Sequence, residues 1–357
     1  MKNHLKTNTI MILTMLFFTQ LNCYKITSSF KRVIYSGHLQ KPVDPEKLTL
    51  GSKSDYRVFQ RTPVWNLAYA LAVGDLGEVE ELAKKHKEII DTPEPKYGTT
   101  LLSYAIRNGQ KNAVQILLEN GANPNASPKP PESLKNTPIA KDKPGSPMNH
   151  GYPDDYNDYK NYTPVHAAVA TSPEMLRIVL KNGGDPNLHS DLKYSHTDYN
   201  NYSYTITGGY SPLMYAKDID TLKLLVEAGG NIHLKNKYGG SLLLTKYMIH
   251  YHLDQVYYLL EQGIDYQGVL SYYGGFNDEK PKEELVPRYL AEELRLMIFG
   301  LDSDQYKQKF QIVQFLSSKG IDYWKTPIPI SASNEIDRIS KTNKWSESKK
   351  QEFISKY

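Results

Sequence analysis

Hydrophobic positions between Tyr97 and Ser127 fall into two short helical patterns separated by glycine. Leu101, Leu102, Ala105 and Ile106 recur at the spacing that places them on one face of a helix. Asn108-Gly109 ends that pattern, because both residues tolerate left-handed backbone angles. Val114, Leu117 and Leu118 form a second stripe, which Asn120-Gly121 closes with a left-handed cap. Thr100 is expected to cap the first helix by accepting a free backbone N–H. Asn123-Pro124-Asn125 leads away as an extended, turn-forming segment. Helices shorter than roughly 12–15 residues are marginal alone in water, so these apolar faces require neighbours of the same kind.

The neighbours are present in the sequence. The closing signature recurs as GANPN at Gly121, GGDPN at Gly183, GGNIH at Gly229, GIDYQ at Gly263 and GIDYW at Gly320. The opening signature recurs as TPVHAAV from Thr163 and SPLMYAK from Ser211, with weaker forms SLLLTKY from Ser241 and WNLAYAL from Trp65. With these residues the chain resembles the ankyrin repeat family, whose opening is T-P-L-H-x-A on a period of about 33 residues. The resemblance covers roughly Arg61 to Lys325 and is strongest in the second and third copies. It implies an all-α ankyrin-repeat solenoid of about six helix-turn-helix repeats (residues 61–325). It also implies a protein-binding role, through a concave helical face and finger loops, with no enzymatic activity.

Successive closing glycines lie 62, 46, 34 and 57 residues apart. Against a period of about 33, three intervals carry insertions. They are placed at 127–160, which is proline-rich, at 190–208 and at 268–284. In the ankyrin family that position is the tip of a β-hairpin finger, so long hairpin fingers are expected. The first repeat, 61–96, turns Leu67, Ala70, Leu71, Val79 and Leu82 inward. Lys217-Asp218-Ile219-Asp220 makes a tight turn in the fourth. The fifth buries Leu242, Leu243, Val256, Leu259 and Leu260. The sixth has a longer first helix around Tyr289–Phe299 and a second around Phe310–Leu316. Residues 326–357 open with Pro327 and Pro329. Short helices over Ser333–Ile339 and Ser346–Ile354 then cap the end of the last repeat, a role that solenoids require.

The start of the chain reads differently. Lys2, His4 and Lys6 precede an apolar run from Ile10 to Phe18, so residues 1–23 read as an export signal. The run is well short of the roughly 20 residues that span a bilayer. Cys23, the one cysteine of the chain, follows directly. QLNC resembles a relaxed bacterial lipobox, with Gln20 and Asn22 at positions that usually hold an aliphatic and a small residue. Lipidation at Cys23 and ordinary cleavage beside an incidental cysteine are the two readings. Residues 24–60 form a polar linker with one short element near Tyr56–Phe59. The expected location is exported: periplasmic, or an outer-membrane-associated lipoprotein touching the membrane only through its anchor.

Composition adds one feature. The formal charge is +4 in 357 residues, which points to no nucleic-acid partner. Tyrosine, at 28 residues against 9 phenylalanines, is the outlier. Many tyrosines fall on the polar insertions, where such rings give contact area at low entropy cost. Trp65, Tyr156, Tyr159, Tyr162, Tyr199, Tyr202, Tyr204, Tyr210 and Tyr273 are therefore the candidate contacts for a protein partner, with the chain itself a monomer. No catalytic residue, cofactor or metal site is expected. His166 belongs to the repeat signature. His250 and His252 point in different directions on a helix. Asp154, Asp155 and Asp158 lack calcium-loop spacing. An immunity or inhibitor protein against an envelope toxin or enzyme is the alternative, and an enzyme housed in the insertions a weaker one.

Overall fold

The computed structural model describes residues 37, 39–43, 55–95, 98–127, 163–189, 193–197, 203–207, 211–235, 241–243, 252–273 and 286–357. The expected leader at 1–23 with Cys23, nearly all of the expected 127–160 insertion, and Tyr156, Tyr159, Tyr162, Tyr199, Tyr202 and Tyr210 lie outside the described residues. The chain divides into two compact units, 1–167 and 168–357.

In the first unit a 3-10 turn at Tyr56–Phe59 precedes α1 (Trp65–Val73) and α2 (Leu76–Lys85). Then come α3 (Leu101–Arg107) and α4 (Lys111–Glu119). Helix α1 packs on the 3-10 turn and on α2, α2 on α4, and α3 on α4. Phe59 is wholly buried and meets Tyr104 edge-on at 5.1 Å between ring centres, so the 3-10 turn belongs to this core. Leu101, Leu102, Ala105 and Ile106 of α3, and Val114 and Leu117 of α4, are buried as their spacing requires. On α2 the inward pair is Val79 and Ala83, while Leu82 is only half-buried.

Helix α5 (Pro164–Thr171) spans the division between the units. The second unit continues with α6 (Pro173–Lys181), the antiparallel pair β1 (Lys193–Thr197) and β2 (Ser203–Thr207), α7 (Pro212–Tyr215) and α8 (Ile219–Glu227). Next are α9 (Leu253–Glu261), the pair β3 (Ser271–Tyr273) and β4 (Val286–Arg288), α10 (Leu290–Leu296) and α11 (Asp304–Ser318). A 3-10 turn at Tyr323–Lys325, α12 (Ile330–Thr342) and α13 (Glu347–Lys356) complete it. The longer helices meet in chain order: α6 packs on α8, α8 on α9, and α9 on α11. The sixth pair reverses the expected lengths. Its first helix has 7 residues and its second 15, because the backbone becomes extended at Met297.

Five closures repeat with one geometry. Gly121, Gly183, Gly229, Gly263 and Gly320 hold φ between 82° and 98°, a region that glycine enters without a Cβ penalty. The residue after each donates its N–H back to a carbonyl five positions earlier, as in Ala122 to Leu117 at 3.0 Å and Ile321 to Leu316 at 3.0 Å, the Schellman pattern. Two residues after each glycine stands Asn or Asp, whose side-chain oxygen accepts the N–H two positions on. The distances are 2.9 Å at Asn123, 2.8 Å at Asp185, 2.9 Å at Asn231, 3.0 Å at Asp265 and 3.1 Å at Asp322. The closures at Gly183 and Gly229 are tied to each other, and that at Gly121 to Asp91 upstream. Asn187 accepts the N–H of Asn231 at 2.7 Å and donates to the Gly229 carbonyl at 3.1 Å. Asp91 accepts the Asn123 N–H at 3.0 and 3.1 Å with its two oxygens.

Helix starts are less uniform. Ser172, Asp218, Ser303 and Ser346 cap α6, α8, α11 and α13 with side-chain oxygens. Thr100 occupies the capping position of α3 but makes no such bond; its hydroxyl is buried without a partner. The same position in the third repeat explains the difference. Thr163 shares a 2.8 Å hydrogen bond with Nδ1 of His166 three residues on, and the His166 side chain is wholly buried. Where the third residue on is Ser103 or Met214, the hydroxyls of Thr100 and Ser211 stay unpartnered.

Candidate functional site

Of the expected contact residues, three fall among the described ones. Trp65 is half-buried on α1 and stands edge-on to Tyr69 at 6.0 Å. Tyr204 lies on β2 in register with His196, and Tyr273 on β3 in register with Val286. They occupy three different elements.

A site that the tyrosine count does not single out lies at the sixth helix pair. An open cleft of about 320 Å³ is lined by Tyr266, Gln267, Tyr289, Leu290, Ala291, Leu316 and Ile321. Its walls come from the local structure already described. Tyr266 follows the Asp265 closure. Tyr289 and Leu290 enter α10 directly after β4. Leu316 and Ile321 are the two ends of the Schellman bond that closes α11. Tyr289 is 41% exposed, and its backbone N–H is held by the Glu292 carboxylate at 3.0 Å. The Tyr266 ring is held edge-on by Phe315 at 5.6 Å. Trp324, three residues beyond Ile321, is 46% exposed. The volume sits at the low end of ligand sites and suits one or two apolar side chains of a partner. The lining offers the Tyr266 and Tyr289 hydroxyls and the Gln267 amide among apolar side chains.

Beyond the cleft, α10, α11 and α13 enclose a cluster of buried cations and aromatic rings. Arg295 and Lys309 are 3% and 2% exposed. Arg295 donates from Nε to the Thr326 carbonyl at 3.1 Å, and from Nη2 to the Tyr323 and Trp324 carbonyls at 3.1 and 3.2 Å. Its guanidinium lies 4.1 Å from the centre of the Tyr323 ring. The Lys309 amine donates to the main-chain oxygens of Met297 at 2.9 Å and Tyr357 at 3.4 Å, and sits 4.0 Å over the Tyr357 ring. Burial, and then the facing Arg295 charge, pull Lys309 down to about 7. Burial pushes the Tyr323 and Tyr357 phenols well above their usual range. Charged residues in a helix read from sequence as solvated, which is why this cluster is invisible there.

Among the described residues no group of three or more His, Cys, Asp or Glu side chains is disposed to hold a metal. No described helix is long and apolar enough to cross a membrane. Residues 44–127 match the family model for ankyrin repeats (3 copies), so this segment carries ankyrin repeats. The match begins upstream of Arg61 and takes in the Tyr56–Phe59 turn. No curated protein matches the sequence. Among solved structures the chain is similar to the crystal structure of EF0377, an ankyrin repeat protein. The identity is 19% over 71% of this chain and 97% of that one, with a TM-score of 0.41.

Proposed function

We propose that this chain is a non-enzymatic protein-binding module, exported and anchored at the bacterial cell envelope through Cys23. The observation that carries the binding role is the open, aromatic-lined cleft between Tyr266 and Tyr289, on a chain that carries ankyrin repeats. Ankyrin repeats generally mediate protein–protein interaction. The two hairpins follow repeat closures, where loops on a rigid scaffold tend to carry recognition. The tyrosines of the β1–β2 finger and the cleft together form the proposed contact surface.

Affinity capture with the wild-type chain and two variants tests this. One variant carries Tyr199→Ala, Tyr202→Ala and Tyr204→Ala; the other carries Tyr266→Ala and Tyr289→Ala. A partner held by wild type and lost with either variant is expected. A partner list unchanged in both would remove the proposed surface. For the anchor, metabolic labelling with a fatty acid is expected to mark the wild-type chain and leave Cys23→Ser unmarked. Equal labelling of the two would overturn it.

A further inference from the structure

The segment from Thr326 to Tyr357 is tied down in an unusual way. Its beginning and its end meet at the same cluster. Arg295 accounts for the beginning, through the carbonyls of Tyr323, Trp324 and Thr326. Four bonds account for the end. Lys309 and the Tyr323 hydroxyl both donate to the Tyr357 main-chain oxygen, the latter at 2.9 Å. The Tyr357 hydroxyl donates to the Arg295 carbonyl. The Tyr306 hydroxyl donates to the Lys356 carbonyl at 2.7 Å. Everything between these pins, α12 and α13 included, is a closed loop of chain.

The loop's apolar support is thin. Its core cluster comprises three buried residues, Ile336, Phe353 and Tyr357, flanked by half-buried Ile298, Leu301, Ile328, Trp345 and Ile354. Within α13 only Phe353 is buried. By contrast α9 buries Leu253, Gln255, Val256, Leu259 and Leu260. Segments with few buried apolar contacts sit at the low end of local stability and open independently of the rest. The pins are of the opposite character. Among the described residues no carboxylate side chain pairs with Arg295 or Lys309, so main-chain oxygens and ring faces compensate two buried charges. Hydrogen bonds in such a buried network polarise and reinforce one another, so losing one weakens the rest.

We propose that residues 326–357 form a strap that opens as one unit, released at the Arg295–Lys309–Tyr323–Tyr357 cluster while the helix pairs beneath remain folded. Opening uncovers Ile298 and Leu301, which the strap's apolar cluster now covers. Opening of the strap would thus expose these two apolar side chains, neither of which lines the cleft at Tyr289.

Native-state hydrogen exchange on the full chain tests this, with wild type, Tyr357→Phe and Arg295→Met compared. In wild type, α12 and α13 amides are expected to exchange as one group, faster than the amides of α8 and α9. Tyr357→Phe removes one hydroxyl and keeps the ring. It should accelerate the α12–α13 group about tenfold, the effect of one buried hydrogen bond, and leave α8 and α9 unchanged. Arg295→Met should accelerate the same group further, since three carbonyls lose their donor. Exchange of α12 and α13 at the rate of α8 and α9 in wild type would overturn the proposal. So would a Tyr357→Phe effect spread evenly over all four helices.

Discussion

Gln255 is wholly buried on α9, and both its amide nitrogen and its amide oxygen lack a hydrogen-bond partner. A buried amide left unsatisfied costs about 1–3 kcal/mol. Gln255→Met keeps the volume and removes the polar atoms, so it is expected to raise stability by about 1–2 kcal/mol, read as a higher urea midpoint. An unchanged or lower midpoint would mean that the amide is satisfied in solution. The repeat signature suggests a second change. Met214→His would give Ser211 the partner that His166 gives Thr163, a gain of about 0.5–2 kcal/mol for a consensus replacement. At this scale the sequence was most legible where spacing decides burial, as for Leu101, Leu102, Ala105 and Ile106. It misled where partners decide. Thr100 has the residue type of a cap but not the bond, and Ala83 takes the inward place beside Val79 that the larger Leu82 seemed to claim.

Among the elements, the closing turns are the most exacting. Gly230 shows this apart from any left-handed backbone. A Cβ there would lie 2.6 Å from the Leu225 carbonyl oxygen and 3.0 Å from Leu213 Cδ1. Gly230→Ala should therefore destabilise by about 2–4 kcal/mol through overpacking against backbone that cannot yield. Gly121→Ala meets open space and suffers only the strain of a φ near 98°, about 1–3 kcal/mol. Thermal melts of the pair order the two effects, and an equal or smaller loss for Gly230→Ala would contradict the steric account. The closures and the paired helices were readable in the sequence because glycine and apolar spacing write them locally. The reversed lengths of α10 and α11 were not. Helix α10 stops where Met297 turns extended, and no glycine or proline marks that place.

For the whole molecule, the interval between repeats governs what can be recognised. The ankyrin family match ends at 127, and the next helix begins at Pro164, so a fixed period loses its register there. The Asx turns and Schellman bonds nevertheless recur as far as Gly320 and Asp322. In the second unit each long helix packs on its neighbours in chain order, so damage should spread outward by steps. Leu225→Ala removes a wholly buried side chain of α8, at an expected cost of about 2–5 kcal/mol. Exchange protection should fall most in α8, less in α6 and α9, and least in α11. A uniform loss would show one all-or-none unit instead. The tyrosine surplus directs attention to the insertions, whereas the cleft at Tyr289 and the cations at Arg295 and Lys309 arise from residues far apart in the chain.

The closing turn has a further consequence. Each one ends its helix and bonds its own Asn or Asp, and the turn at Gly183 is also tied to the one at Gly229. Whatever follows departs from an anchored point and returns to another. Doubling the length of a flexible loop between such points costs only about 0.6 kcal/mol in closure entropy. Inserted chain after a closure can therefore be lengthened or shortened at little cost in closure entropy.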